Sequence, residues 1–296
     1  LLVEHWSWRG LFWLQLPLLL VIALLLLKPL KMLRLAPTSR DYSGLWTALR
    51  IGICCVLVVA LTSTPLNLSW FFLVPIILFM WRPLSLVLPL EWWKLRTPLA
   101  LSIILLGGLF FVFYGVESYT PLYLIENRRM GITATGLVFT CAAFTWVLAS
   151  FLQSTLDKYF SHRQSLISGA LVFLIAFLLM ALIVFHLISL EFIYLAWALM
   201  GFAMGLTYNT LATSAMLATE AGNEGATAGA SGVMGSLCIG LAVGLGGAIK
   251  NQVEYRGGDL GQVMDLIGIF MLSVLGILIW IIWQRFPREK TWYQNE

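Results

Sequence analysis

Apolar residues in this chain come in long unbroken runs, not in the alternation of a half-buried strand. Nine such runs are legible, at about 11–27, 48–61, 68–81, 99–114, 135–153, 166–185, 192–211, 226–249 and 264–283. Most approach the roughly 20 apolar residues that a helix needs to cross a bilayer. Backbone N–H and C=O groups in hydrocarbon must be satisfied within their own segment, so runs of this kind predict helices. The expected fold class is therefore all-α, a polytopic membrane helix bundle of about nine transmembrane helices. The fourth run is the least regular. It extends past Gly115 toward Ile125, and Gly115 and Pro121 interrupt it.

The polar residues between the runs set an orientation. One set of alternate loops carries most of the 18 Lys and Arg residues, among them Lys28, Lys31, Arg34, Arg82, Lys94, Arg96, Lys158, Arg163, Arg285 and Arg288. The other set holds Arg9, Arg128, Arg129, Lys250 and Arg256. The richer set is expected on the cytoplasmic side, which puts the N-terminus of this chain outside and the C-terminus inside. Trp6, Trp8, Trp13, Trp92, Trp93 and Trp283 flank runs and read as interfacial anchors.

Composition agrees with a lipid environment. Sixty per cent of the 296 residues are hydrophobic and 11% are charged, against about a quarter charged in soluble domains. The net charge of +4 sits in loops and reports orientation, so no nucleic-acid partner is expected; the bilayer is. Cys54, Cys55, Cys141 and Cys238 all fall in apolar runs without a CxxC spacing, so neither a metal site nor a disulfide framework is expected. The three histidines, His5, His162 and His186, are divided between the two predicted faces. No HxxxD, HExxH or acidic pair accompanies them, which argues against a membrane-embedded enzyme.

Three motifs give the pattern a family. His5-Trp6-Ser7-Trp8-Arg9-Gly10-Leu11-Phe12 followed by Pro17 resembles the S-W-R-x-x-F-x-x-x-x-P signature at the sixth span of the fourteen-helix drug:proton antiporters of the major facilitator superfamily. Gln15 stands where Asn is common. Asp157-Lys158-Tyr159-Phe160, continuing to Arg163, looks like the cytoplasmic D-[RK]-x-G-[RK] loop of facilitators, with Phe160 at the glycine position and Gln153 at another. Gly131-Ile132-Thr133-Ala134-Thr135-Gly136 resembles the entry to the eighth facilitator helix, where Thr133 or Thr135 can cap the helix start. The resemblance implies an orphan span at 1–28, a cytoplasmic linker with two inserted spans at 29–97, a C-terminal six-helix bundle at 98–290 and a tail at 291–296. It implies a C-terminal part of a longer transporter, with a missing N-terminal half as a partner. Asp157, Lys158 and Arg163 would form a cytoplasmic latch. The alternative is a non-transporting half-transporter, a split subunit or a degraded fragment.

Glu117 stands out among the ionisable residues, because a charge at the membrane midplane costs about 2.5–3.5 kcal/mol and so marks a function. It lies near the external end of its run, between Gly115 and Pro121, where a broken helix can expose a protonatable carboxylate beside substrate. Tyr114, Tyr119, Tyr208 and Asn209 are candidate cavity-lining residues, the tyrosines offering faces to a cation. Gly201 and Gly205, Gly225 and Gly229, and Gly240 and Gly244 repeat every four residues, a spacing that lets helices approach closely. The expected function is proton-coupled efflux of small amphipathic or cationic compounds by alternating access, with the proton gradient as driving force and no cofactor. The expected setting is a bacterial inner membrane, and the expected consequence is multidrug resistance.

Overall fold

The computed structural model describes residues 8–32 and 92–286, and between them 46, 49–50, 52–53, 56–57, 78, 81 and 84–88. Most of the second and third predicted spans and of the linker, with Ser7 and the tail 291–296, lies outside the described residues. Two units are distinguished, Leu1–Trp46 and Thr47–Glu296.

In the first unit, helix α1 runs Trp8–Met32 and contains the apolar stretch Gln15–Leu27. Leu18, Leu20 and Leu25 on it are exposed, as suits a helix whose solvent is lipid. In the second unit, α2 is Pro98–Glu117, α3 is Ile132–Leu156 and α4 is His162–Val184. Helix α5 is Ile193–Leu217, α6 is Glu224–Tyr255 and α7 is Leu260–Arg285. Among the described residues there is no strand, and six helices are long and apolar enough to cross a membrane.

Local chemistry starts these helices. Thr97 accepts a hydrogen bond from the Ala100 N–H at 3.2 Å, with Pro98 at the first position, where its missing N–H costs nothing. Ser161 and Gln164 cap α4 reciprocally. Asp259 accepts from the Gln262 N–H at the start of α7. Helix α3 differs from expectation. Gly131 occupies its N-cap with no side-chain bond, and Thr133 and Thr135 lie inside the first turn, because the helix begins earlier than the polar residues suggest.

Two helices form the centre. The apolar stretches of α2 and α5 are 67% and 56% buried, against 22–39% for the other four. Helix α2 packs on α5, α6 and α7; α5 packs on α3 and α4 as well; α4 also meets α7. Leu101, Leu105, Val112, Trp197, Met200 and Met204 fill the interior, while Phe144, Phe151, Leu178 and Ile277 point outward.

Lipid gives little drive for helices to associate, so contact depends on close packing. The glycines show where it is closest. A Cβ at Gly201 would enter the Ala142 backbone of α3, and one at Gly205 would lie 2.5 Å from the Trp146 carbonyl and 2.6 Å from the Ala149 Cβ. At this pair α5 approaches the backbone of α3. At Gly225, Gly229 and Gly240 a Cβ finds no described atom within 4 Å; Gly244 is buried. Spacing marks a face, and that part of the α6 face has no described neighbour. Gly107, Gly115, Gly169, Gly235 and Gly246 make tight contacts instead.

Gly201→Ala should destabilise the bundle by about 1–3 kcal/mol, since backbone and not a flexible side chain stands in the way. Gly229→Ala should stay within about 0.5 kcal/mol of the parent. Thermal unfolding in detergent distinguishes the two.

Candidate functional site

On α2, Leu106, Phe110, Tyr114 and Glu117 recur at three- and four-residue intervals and so share one face. The ring of Phe110 stacks on Tyr208 of α5, with centroids 5.6 Å apart and planes at 24°. Phe110 meets Tyr114 edge-on at 5.7 Å, and Tyr114 meets Phe113 at 5.2 Å. Phe113 meets Trp146 of α3 at 5.6 Å, and Trp146 returns to Tyr208 at 6.0 Å. Five rings from three helices therefore close a circuit. Edge-to-face pairs of this kind contribute about 0.5–1.5 kcal/mol each beyond their buried area. Trp197 and Phe139 extend the cluster behind Phe113.

Beside the ring circuit lies a cavity of about 610 Å³ between α2, α5 and α6, lined among others by Leu106, Phe110, Tyr208, Thr213, Met216 and Ser231. Its size and its apolar walls with a few hydroxyls suit a small organic molecule. Tyr208 belongs to both the circuit and the cavity wall. Tyr114 and Glu117, three residues apart on α2, are neighbours on its surface, which sets the ring circuit beside the carboxylate. Glu117 is half-buried.

The predicted interruption of the fourth run is real. Helix α2 stops at Glu117, a short turn follows at Thr120–Leu122, and Tyr123–Asn127 forms a π-helical turn. Pro121 has no N–H to give the carbonyl one turn earlier. Side chains repair neighbouring positions: the Ser118 hydroxyl donates to Tyr114 O at 2.7 Å and the Thr120 hydroxyl to Val116 O at 2.9 Å. Tyr119 does not point into the 610 Å³ cavity. Its hydroxyl donates to Val243 O of α6, and its ring covers Gly246, so it fastens the break to α6. Asn209 turns back on its own helix, donating to Gly205 O at 2.9 Å.

The residues expected to form a latch lie at the opposite end of the bundle. Asp157 ends α3 and accepts a 2.7 Å bond from the Gln153 amide, whose residue is only 1% exposed. Arg163, at the start of α4, donates to Trp283 O at 2.9 Å, and its guanidinium sits 4.7 Å from the Trp283 ring centre. It thereby ties α4 to the last turn of α7, where free carbonyls favour a cation. His162 and Ser214 meet at 3.0 Å and join α4 to α5. Lys158 is exposed.

Comparison with known protein families then decides the class. The family model of the Major Facilitator Superfamily matches residues 1–246. The chain belongs to the major facilitator superfamily. It is an integral membrane protein and a membrane transporter of the facilitator type. A search of curated proteins finds no match.

Within this facilitator, the sequence pattern pointed to Tyr114, Tyr208 and Glu117, which the fold brings to one side of α2. It passed over Phe110, Phe113 and Trp146, because an aromatic residue in an apolar run carries no mark of which side it faces. The i, i+3, i+4 and i+7 relation among Phe110, Phe113, Tyr114 and Glu117 is the signal that would have found Phe110 and Phe113. Gln153 was noted only as a departure from glycine, yet it is the residue that holds Asp157.

Tyr119→Phe deletes the hydroxyl that reaches α6 and should lower stability by about 0.5–1.5 kcal/mol. The same assay should find Asn209→Ala nearly silent, within about 0.5 kcal/mol.

Proposed function

We propose that this facilitator exports small amphipathic or cationic compounds by alternating access, with proton entry as the driving force. The observation that carries the reading is the shared face of α2: an aromatic-lined cavity at Phe110 and Tyr208, and the carboxylate of Glu117 two turns along, where the helix breaks. Aromatic faces attract an organic cation by about 0.5–2 kcal/mol when water is excluded. A carboxylate at a helix break can hold either a proton or the cationic substrate, so the two compete, as antiport requires. The broken helix supplies a place where the chain can bend during the change of access.

In this reading the basic loops mark the cytoplasmic side, and the cell's plasma membrane, a bacterial inner membrane, is the setting. Arg163 on Trp283 acts with Asp157 and Lys158 as the cytoplasmic latch: the arginine holds the ends of α4 and α7 together in one access state, and Gln153 fixes Asp157 at the end of α3. The open small-residue face of α6, at Gly225, Gly229 and Gly240, receives the other helical half of the transporter.

The test uses everted membrane vesicles containing the protein, an imposed pH gradient and a lipophilic cation such as tetraphenylphosphonium. Glu117→Gln should abolish gradient-driven accumulation while the protein remains in the membrane. Tyr208→Ala should weaken binding of the cation by about five- to tenfold. Undiminished gradient-driven accumulation by Glu117→Gln would remove the carboxylate from the coupling step, and with it the antiport reading.

A further inference from the structure

Helix α6 meets two aromatic rings that belong to different parts of the site. Phe110, in the wall of the cavity, lies over Gly235, where a Cβ would come within 2.7 Å of its ring. Tyr119, at the break, lies over Gly246, where a Cβ would enter its ring. Between the two, Gly115 brings α2 against Ala242. Helix α6 is continuous from Glu224 to Tyr255. One helix therefore walls the cavity with Ala228, Ser231 and Gly232 and, about three to four turns further along, holds the break with Val243 and Gly246.

Of the three consecutive hydroxyls at the break, only that of Tyr119 leaves the segment. Ser118 and Thr120 donate to Tyr114 O and Val116 O of α2, while Tyr119 donates to Val243 O. Its own N–H bonds Val116 O, three residues back, at 3.3 Å, so it stands in the tightened turn where the helical ladder ends. The acceptor on α6 is a main-chain carbonyl and the seat is a glycine, so the contact follows the position of the helix and not the rotamer of a side chain. Beyond the break the chain is fixed to a different helix. Arg128 donates to the Tyr123 hydroxyl at 3.0 Å and to Ile183 O at the end of α4 at 3.2 Å. A shift of α6 is thus taken up in the turn that begins at Glu117.

We infer that Tyr119 is a positioning residue that couples the cavity to Glu117. A compound seated against Phe110 and Gly232 displaces α6, the displacement reaches Tyr119 through Val243 and Gly246, and the break moves with the carboxylate beside it. The inference rests on the antiport reading and names the part that joins its two sites.

Everted vesicles carrying the protein test it with two assays of tetraphenylphosphonium: accumulation driven by an imposed pH gradient, and counterflow exchange without one. Tyr119→Phe keeps the ring and removes the hydroxyl. It should lower gradient-driven accumulation by about fivefold, the scale of one hydrogen bond, and leave exchange within about twofold of the parent, since Tyr119 does not line the cavity. Gly246→Ala, which displaces the ring, should act in the same direction. A merely structural role would lower the amount of folded protein and so both assays together; equal falls in accumulation and exchange overturn the inference. Glu117→Gln should lose accumulation and keep exchange, and it separates two failures. Parental accumulation by Glu117→Gln overturns the antiport reading and this inference with it. Lost accumulation by Glu117→Gln beside full accumulation by Tyr119→Phe overturns this inference alone. Should Gly246→Ala fail to fold, Tyr119→Phe decides by itself.

Discussion

In hydrocarbon each backbone N–H and C=O must find its partner inside the protein, and the rest of this structure follows from that constraint. It makes every described crossing segment a helix. It also makes any break in a helix costly unless side chains intervene. The break after Glu117 is supported in that way, by the hydroxyls of Ser118, Tyr119 and Thr120 on carbonyls of α2 and α6. A carboxylate sits at the one place in α2 where the helical ladder is interrupted, and the aromatic cavity lies along the same face.

Packing adds a second constraint. With little hydrophobic drive between helices, contact has to come from shape. Helix α5 reaches the backbone of α3 through Gly201 and Gly205, and this closeness places Trp146 against Tyr208 and Phe113. The ring circuit is therefore a consequence of small residues elsewhere. Packing and lining share one face of α5: Gly201, Gly205 and Tyr208 stand at i, i+4 and i+7, the glycines against α3 and Tyr208 against Phe110 and the cavity.

Much of this was legible in the chain. Unbroken apolar runs predicted the helices, and Gly115 with Pro121 predicted the break, because both are local properties of the backbone. Capping by Ser161 and Asp259 is likewise local. Partners were not legible. Gly201 with Gly205 and Gly225 with Gly229 have the same spacing, yet the first pair meets a helix backbone and the second meets no described atom. Tyr114 and Tyr119 are both tyrosines near a break, yet one joins the ring circuit and the other is bound to α6.

The sequence by itself determined that the chain lives in a membrane, where its helices run, where one of them breaks and which carboxylate stands there. These follow from hydropathy, covalent geometry and the absence of a proline N–H, which act over a few residues. Only the tertiary structure decided that Phe110, Phe113, Tyr114, Trp146 and Tyr208 close one ring circuit, and that Arg163 holds the end of α7. Such pairings join residues far apart in the chain, and a periodic pattern names the face of a helix without naming what lies opposite it.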